Sequence, residues 1–449
     1  MPLPLGDKLR AMRNVLKITA ALVLGASCAL AQAAPAEKPL ALHCGQVLDV
    51  KSGELLPDRM ILISGEKITG VAAASAIRLS AQTEIVDLRK LTCLPGLIDV
   101  HTHLVGSGGD EYSGGPLRRS AAQMAFDSIA NARATLEAGF TSVRDLGTYR
   151  AFVDVALCDA IEKGIVPGPR MQAAGAYVTI SGGAGALTGY APDIQLPLEL
   201  RFGQADGADQ VRQRVREIIR NGADVIKVLS TGAILTLKSQ PASQEFTYEE
   251  LRAAVEEASK AGLKVACHAH SSAGAQDAIR AGVASIEHGT LLDDATLRMM
   301  KEKGTFLALD NIASWDFWPG GKPENKPAGY PDEFVRKEVI SFESQKNVGR
   351  RAIAIGVKIA FATDAGVIPH GRNAVLFANY VKLGMTPLQA IQTATLNAGE
   401  LLGWADRVGT LETGKLADVV AVAGNPLEDV RLLEKVAFVA KGGRVYKKP

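Results

Sequence analysis

This chain has almost no excess of basic over acidic residues, few cysteines and few long apolar segments, and each scarcity excludes a class of protein. The 449 residues include 50 lysines and arginines against 48 aspartates and glutamates. The chain therefore lacks the excess of basic residues that would predict nucleic-acid binding. The five cysteines contain no Cys-x-x-Cys pair, which argues against a zinc site made of thiolates. Beyond the first 33 residues, no apolar run reaches the roughly 20 residues that span a membrane. With 47% hydrophobic and 22% charged residues, the remainder has the composition of a globular protein.

The first 33 residues differ from the rest and predict a secretory signal peptide. Four basic residues at 8–17 precede an apolar stretch at 18–30, and Ala31-Gln32-Ala33 places small residues where a signal peptidase reads them. An uncleaved anchor needs a longer apolar run, and Gly25 makes a poor lipidation signal ahead of Cys28. We therefore expect cleavage near Ala33, no membrane association afterwards, and a periplasmic or secreted protein. Cleavage removes four basic residues and one acidic residue, which changes the net charge from +2 to −1.

Four cysteines remain after that cleavage: Cys44, Cys93, Cys158 and Cys267. An oxidising compartment permits disulfides, and four cysteines allow three pairings. Cys44 and Cys93 both fall in a predicted small β-domain and are the first choice for a pair. Buried free thiols are an equally open alternative at this point.

Two patterns divide the chain. Residues 40–90 read as short alternating strands with glycine turns, and the same style returns at 417–446, which predicts a small antiparallel sheet or sandwich. Between them, apolar strands alternate with amphipathic helices, for example at about 210–220 and 247–260, as in a (β/α)8 TIM barrel. We expect an α/β fold with a barrel at 96–411 and a β-sandwich satellite domain built from 34–95 and 412–449.

Histidines are concentrated at the ends of the predicted barrel strands. His101 and His103 close the first strand two residues apart, so both imidazoles project from one face and suit one metal ion. Three further strands close with Lys227, His268 and His288, and another closes with Asp364. Barrel enzymes place their active sites at the carboxyl ends of strands. A single histidine at such a place is usually structural, as we expect for His43 in the β-domain, but the joint pattern predicts a metal site.

The ordered set of motifs resembles the binuclear-metal branch of the amidohydrolase superfamily over essentially the whole mature chain. The likeness rests on these segments: Pro95-Gly-Leu-Ile-Asp-Val-His-Thr-His103, Ile226-Lys-Val, His268-Ala-His, Ile286-Glu-His-Gly, Ala362-Thr-Asp-Ala-Gly and Gly414-Lys-Leu-Ala-Asp-Val-Val.

The resemblance implies two Zn²⁺ ions per chain, although other divalent metals are possible. His101, His103 and Asp364 would bind one ion, and His268 and His288 would bind the other. Lys227 would be carboxylated and bridge both ions, because an unmodified ammonium has no lone pair to offer a cation. A metal-bridging hydroxide would attack the carbonyl, and Asp364 would shuttle its proton to the departing amine.

The resemblance is closest to the group of imidazolonepropionase-like and Xaa-Pro dipeptidase-like hydrolases, which includes ochratoxin amidases. It implies an amidase that acts on dipeptides or N-acyl amino acids with a free C-terminal carboxylate. His270 and His370 are candidate substrate contacts, and Tyr177 and Arg144 are weaker ones. Barrels of this kind often associate, so we expect a homo-oligomer. Many relatives carry a histidine in the loop that here reads Ser181-Gly-Gly-Ala-Gly-Ala, so any role of that histidine does not transfer to Ala184.

Two alternatives stay open at this stage. One is a cyclic-amide (lactam) hydrolase or a deaminase of the same superfamily. Lys227 argues against the mononuclear machinery of the deaminases, but not against a binuclear lactamase. The other is a non-catalytic scaffold, against which the intact set of ligands argues.

Overall fold

The computed structural model describes residues 38–106, 115–191 and 193–449 of the chain. The predicted signal peptide at 1–33 lies outside the described residues. From Pro39 to Pro449 the chain forms one unit. No helix in the described part is long and apolar enough to cross a membrane.

Sixteen strands, β1 to β16, follow one another along the described residues. In chain order they are Leu40–Leu48, Leu55–Ser64, Lys67–Ala73, Glu84–Pro95, Leu97–Thr102, Phe140–Asp145, Arg170–Ala173, Tyr177–Val178, Val225–Leu229, Lys264–Ser271, Ser285–Leu291, Phe306–Leu309, Ile359–Phe361, Val419–Val422, Phe438–Lys441 and Arg444–Lys447.

Helices follow most of the strands in the middle of the chain. We number them α1 to α11 in the order Gly115–Arg118, Ala121–Glu137, Val153–Glu162, Ala208–Arg220, Tyr248–Lys260, Ser272–Ala281, Asp294–Lys303, Asp332–Ile355, Val375–Leu383, Pro387–Gln392 and Ala398–Leu402.

Local sequence explains where α5 begins and which of its faces is buried. Thr247 caps α5 by accepting a hydrogen bond from the Glu250 amide, while the Glu250 carboxylate accepts one from the Thr247 amide. Leu251, Ala254 and Ala258 then lie one turn apart and are buried against the strands. The helices predicted at 210–220 and 247–260 are both present, as α4 and α5.

The middle of the chain forms two parallel sheets. One has the order β5-β6-β7 and the other the order β13-β12-β11-β10-β9-β8. An isolated bridge between Thr102 and Ala365 joins the end of β5 to the segment after β13. Because short parallel strands alternate with helices, the predicted α/β class is confirmed. Closure into an eight-stranded barrel and the domain boundaries at 95, 96, 411 and 412 stay predictions.

The two ends of the described chain meet in one seven-stranded sheet, in the order β16-β15-β14-β4-β1-β2-β3. β14 pairs antiparallel with β4, so a C-terminal strand continues the N-terminal sheet. β1 and β4 pair in parallel, and the β2–β3 hairpin lies between them in the chain. The expectation of a purely antiparallel sheet is therefore wrong at that one pair, because the chain crosses over before β4 instead of turning back. A sandwich remains a prediction.

A disulfide joins Cys44 on β1 to Cys93 on β4, with their Cα atoms 6.1 Å apart. The first-choice pair from the sequence is thus the pair in the structure. Gly45 follows Cys44 at a register shift between the two strands, where a Cβ would lie 2.2 Å from the Arg89 carbonyl oxygen. Only glycine fits there, since that distance is far below any real contact. Cys158 and Cys267 are free thiols.

Candidate active site

Adjacent parallel strands carry most of the predicted metal ligands. Lys227 lies on β9, His268 on β10 and His288 on β11, and these three strands are neighbours in one sheet. His101 lies on β5, His103 follows that strand directly, and Asp364 comes three residues after β13. The structure therefore brings all six predicted ligands to one cavity, which they line together.

Two imidazoles converge on one carboxylate. The Nε2 atoms of His101 and His103 lie 3.4 Å and 3.1 Å from the same oxygen, Oδ1 of Asp364. Ligand atoms of His101, His288 and Asp364 also lie within 4.8 Å of one another. The rings of His268 and His288 are 4.6 Å apart between centroids. We call His101, His103, His268, His288 and Asp364 the histidine cluster.

The outer ring nitrogens of three cluster histidines already have partners. His103 Nδ1 lies 2.8 Å from the carbonyl oxygen of Gly147, and His268 Nε2 lies 3.1 Å from that of Gly232. His288 Nδ1 lies 2.7 Å from a carboxylate oxygen of Asp310. In each ring, an N–H that donates to these oxygens leaves the opposite nitrogen as a lone-pair donor, which is how metal-binding histidines are oriented.

Glu287 and Arg144 lie behind His101 and are both completely buried. The Arg144 guanidinium donates to Glu287 Oε1 at 2.9 Å and to the Val100 carbonyl oxygen at 2.6 Å. Glu287 Oε2 lies 3.0 Å from His101 Nδ1, although the angle does not form a hydrogen bond. Arg144 does not line the cavity, so its place among the candidate substrate contacts is wrong: the side chain turns into the core to neutralise Glu287.

Two members of the histidine cluster have backbone conformations that side chains rarely adopt. His288 has φ 70° and Asp364 has φ 56°, both in the left-handed region. Such conformations cost of order 1–3 kcal/mol each and persist where the surrounding structure holds them. At Asp364, the constraint comes from Asp99, whose carboxylate accepts hydrogen bonds from Thr363 at 3.1 Å and 2.5 Å and from Asn373 at 2.8 Å.

The pKa values of two buried groups, Lys227 and Asp364, shift in the direction that a metal site needs. Burial lowers the pKa of Lys227, and the nearby carboxylates of Glu287 and Asp364 only partly oppose this. A neutral amine is the form that carbon dioxide can carboxylate. Burial alone would raise the pKa of Asp364, but the imidazoles of His101 and His103 outweigh it and hold that pKa below its ordinary value.

This donor set passes a simple test for divalent metal ions. Imidazole nitrogens and carboxylate oxygens are the ligands that zinc prefers. Asp364 Oδ1 and His101 Nδ1 are both buried, and neither atom has a hydrogen-bond partner among the described residues. Buried polar atoms without partners are costly, and a cation between the convergent nitrogens and this oxygen would satisfy the carboxylate. The residues fit a metal site.

The cavity beside the cluster has a volume of about 150 Å³. His270 lines it, donates or accepts one hydrogen bond with Thr290 Oγ1 at 2.8 Å, and stacks on His288 at 5.0 Å. His370 is not among the described residues that line the cavity, and burial lowers its pKa to about 4. Tyr177 and Ala184 do line it. A substrate contact by His270 or His370 stays a prediction.

Three supporting carboxylates escaped the sequence analysis: Asp99, Glu287 and Asp310. Asp310 follows directly after β12, so the rule that selected Lys227 and His268, a polar residue closing an apolar strand, would have found it. Asp99 lies two residues before His101 on β5, and Glu287 directly precedes His288 on β11. Their sequence spacing does not distinguish them from buried residues with a purely structural role.

Comparisons with known proteins identify the family of this chain. The amidohydrolase family model matches residues 92–447. Ochratoxinase from Aspergillus niger is 33% identical over 420 residues, covering 88% of this chain and 84% of that protein. An Xaa-Pro dipeptidase structure with bound methionine is 36% identical with a TM-score of 0.85, covering 91% of this chain and 100% of the other. A prolidase complexed with N-methylphosphonate-L-proline is 30% identical with a TM-score of 0.83, covering 92% and 100%.

Proposed function

The chain belongs to the amidohydrolase family, and we propose that it cleaves the amide bond of dipeptides or N-acyl amino acids with a free C-terminal carboxylate. The family and the peptidase and amidase relatives support a hydrolase of amide bonds. The observation that carries the proposal is the convergence of His101 and His103 on one oxygen of Asp364, in a cavity that all three residues line. The dipeptide specificity is supported by the relatives named Xaa-Pro dipeptidase and prolidase.

The proposed cofactor is a pair of divalent metal ions, zinc in the first instance. His101, His103 and Asp364 would hold one ion, His268 and His288 the other, and carboxylated Lys227 would bridge them. When bound, such ions polarise the scissile carbonyl and lower the pKa of water.

Asp364 is the proposed proton carrier. Its Oδ1 faces two imidazoles at 3.1 Å and 3.4 Å, so the carboxylate is ionised and ready to accept a proton. As the water oxygen forms its bond to the carbonyl carbon, the proton passes to Asp364. The same carboxyl group then gives the proton to the amide nitrogen as the C–N bond breaks, because an amine anion is a very poor leaving group.

The proposal extends to the setting of the enzyme. The signal peptide at 1–33 would direct the protein to the periplasm or the exterior, where a disulfide between Cys44 and Cys93 is stable. The parallel strands would close into a (β/α)8 barrel, the end-to-end sheet would form a β-sandwich, and the enzyme would act as a homo-oligomer. The substrate carboxylate would meet His270 and, less directly, His370.

A matched library tests the substrate class. Purified enzyme loaded with zinc in bicarbonate is assayed against dipeptides and N-acyl amino acids, each with a free or an amidated C-terminus. We expect hydrolysis of the free acids and a large loss on amidation. Equal rates for both forms would contradict carboxylate recognition. Lactam opening or ammonia release in place of peptide cleavage would favour the alternative reactions, and fewer than one zinc per chain without amidase activity would indicate a scaffold.

A further inference from the structure

One side of the cavity is apolar. Tyr177, Ala184, Leu229 and Ala233 pack against one another, and all four line the cavity. We call these four residues the apolar wall. Half-buried Ile234 and Leu235 follow in the chain and line the same cavity. None of these six side chains carries a charge, and the Tyr177 hydroxyl is the one polar group among them, so this side favours hydrocarbon over an ionic group.

The apolar wall begins directly beside the histidine cluster. The hydroxyl of Tyr177 lies 3.2 Å from His103 Nδ1, and the two rings are 5.9 Å apart between centroids. Tyr177 also packs on Leu229 and Ala233. A substrate with its scissile carbonyl at His101, His103 and Asp364 therefore has the neighbouring side chain within reach of the wall.

The loop that carries Ala184 is held on both sides of that residue. The Ala184 amide donates to both carboxylate oxygens of Glu245, at 3.0 Å and 2.9 Å. The Thr236 hydroxyl donates to the Ala184 carbonyl oxygen at 2.8 Å. A backbone fixed by two side chains keeps the Ala184 methyl in place against Leu229 and Ala233.

The neighbours of Ala184 leave no room for a side chain. A Cβ at Gly183 would lie 2.6 Å from Glu245 Oε2, and one at Gly185 would lie 2.9 Å from the Tyr177 Cβ. Both distances are below 3.0 Å, so a side chain at either position would force neighbouring groups to move. In this tight run of small residues, position 184 is where added volume enters the cavity.

We propose that the apolar wall is the subsite for a large apolar side chain on the substrate residue next to the scissile amide, and that the Ala184 methyl sets its depth. This rests on the proposed amide hydrolysis and names its substrate class: aromatic or branched aliphatic residues in preference to glycine or charged ones. One methylene group in an apolar pocket changes kcat/KM by about 10- to 200-fold, so a small change at position 184 is measurable.

Substrates graded in size test the proposal. Zinc-loaded enzyme is assayed with dipeptides that carry Gly, Ala, Leu or Phe on either side of the scissile bond. We expect the wild type to favour Leu or Phe on one side, which identifies whether the wall takes the acyl or the amine residue. Ala184→Val and then Ala184→Leu lower the Phe-to-Gly ratio of kcat/KM in steps, by roughly tenfold or more for leucine, mainly through KM.

A matched variant and a binding measurement control the experiment. Ala122→Leu makes the same exchange at an exposed position of α2, away from the cavity, and is expected to keep the wild-type ratio. Circular dichroism and zinc content verify that each variant is folded. Calorimetry with free L-phenylalanine and L-alanine reports on the wall without turnover, and Ala184→Leu is expected to remove the tighter binding of phenylalanine.

The outcomes separate this proposal from the one on which it rests. The apolar wall is not a subsite if kcat/KM of the wild type does not depend on side-chain size. The same holds if the variants at position 184 lower kcat/KM by the same factor for every substrate. If zinc-loaded wild type hydrolyses no amide at all, the proposed function fails instead. Selective binding of phenylalanine that is lost in Ala184→Leu would still support the wall in that case.

Discussion

The histidine cluster and the seven-stranded sheet are built on opposite principles. In the cluster, buried polar atoms such as Asp364 Oδ1 lack partners among the described residues, and His288 and Asp364 have left-handed backbones. In the sheet, Leu42, Ile61, Val419 and Phe438 belong to one apolar core, and a disulfide joins β1 to β4. The cluster contains unpaired polar atoms and strained backbones, whereas the sheet contains buried apolar side chains and a disulfide.

This difference indicates how the chain divides its tasks. Among the groups proposed to bind a cation, His288 and Asp364 have strained backbones, which is a cost in stability. The seven-stranded sheet contributes apolar contacts and a cross-link, and none of its strands carries a member of the histidine cluster. Substitutions in the cluster should therefore change activity and metal binding first, and substitutions in the sheet should change stability first.

The largest effect is expected for Lys227→Ala. Loss of the bridging group should leave at most about one zinc per chain and lower kcat/KM by about a thousandfold or more, since metal ions contribute several kcal/mol to the transition state. Zinc analysis and steady-state kinetics measure both. Lys163→Ala, at an exposed lysine that pairs with Asp159, is the control. Added propionate should restore part of the activity by supplying a carboxylate, and full zinc content with wild-type rates would contradict the carbamate.

Glu287→Gln should have the next largest effect. The change removes the charge that neutralises Arg144 and faces His101 Nδ1 at 3.0 Å. Residues behind metal ligands typically contribute 10- to 100-fold to metal affinity, and an unpaired buried arginine costs about 3–5 kcal/mol. Zinc competition with a chelator and thermal unfolding measure the two losses. Glu256→Gln, at surface ion pairs with Arg252 and Arg212, should leave the zinc affinity and the unfolding temperature close to the wild-type values.

Removal of the disulfide should affect stability but not catalysis. Replacing Cys44 and Cys93 by alanine should lower the free energy of unfolding by about 2–4 kcal/mol, the usual contribution of a disulfide. Denaturant unfolding measures the loss, and kcat/KM at room temperature should stay at the wild-type value. Cys158→Ala removes a free thiol and serves as the control. A loss of activity equal to that of the cluster variants would break the division of tasks between the two regions.

The smallest effect, counted per pH unit, concerns Lys441 on β15, which donates to the Gly168 carbonyl oxygen at 2.6 Å. Burial lowers the pKa of Lys441 to about 8 from 10.5. Between those values the unfolded chain holds a proton that the folded chain has released, so stability rises with pH, by at most about 1.4 kcal/mol per unit. Lys441→Met should flatten this rise between pH 8 and 10.5. Unfolding curves across that range measure it, and an unchanged slope would refute the assignment.

Much of the candidate site was predictable because its ligands follow a simple rule. His101 is the last residue but one of β5, whereas β10 and β11 each continue three residues beyond His268 and His288. The predicted strand ends were therefore too early for those two histidines, but neighbouring parallel strands still bring all three to one cavity. Arg144 follows the same rule on β6, yet its side chain turns into the core. Only the packing around β11 places Glu287 where it attracts that guanidinium, so the rule alone could not separate the two cases.

The supporting parts of the site required the folded chain. Asp99 and Thr363 are 264 residues apart in the sequence, and nothing local predicts their hydrogen bond. The parallel pairing of β1 with β4 likewise depends on where the β2–β3 hairpin packs, since local strand propensity is the same for either direction.

By itself, the sequence determined the family and the α/β class and predicted the proposed metal ligands, because strand periodicity and the order of the motifs are local properties of the chain. Tertiary structure decided which polar residues support the ligands, which cysteines pair, and that Ala184 stands between two crowded glycines in the apolar wall. Those outcomes depend on distances between segments far apart in the chain, and such distances exist only once the strands have packed.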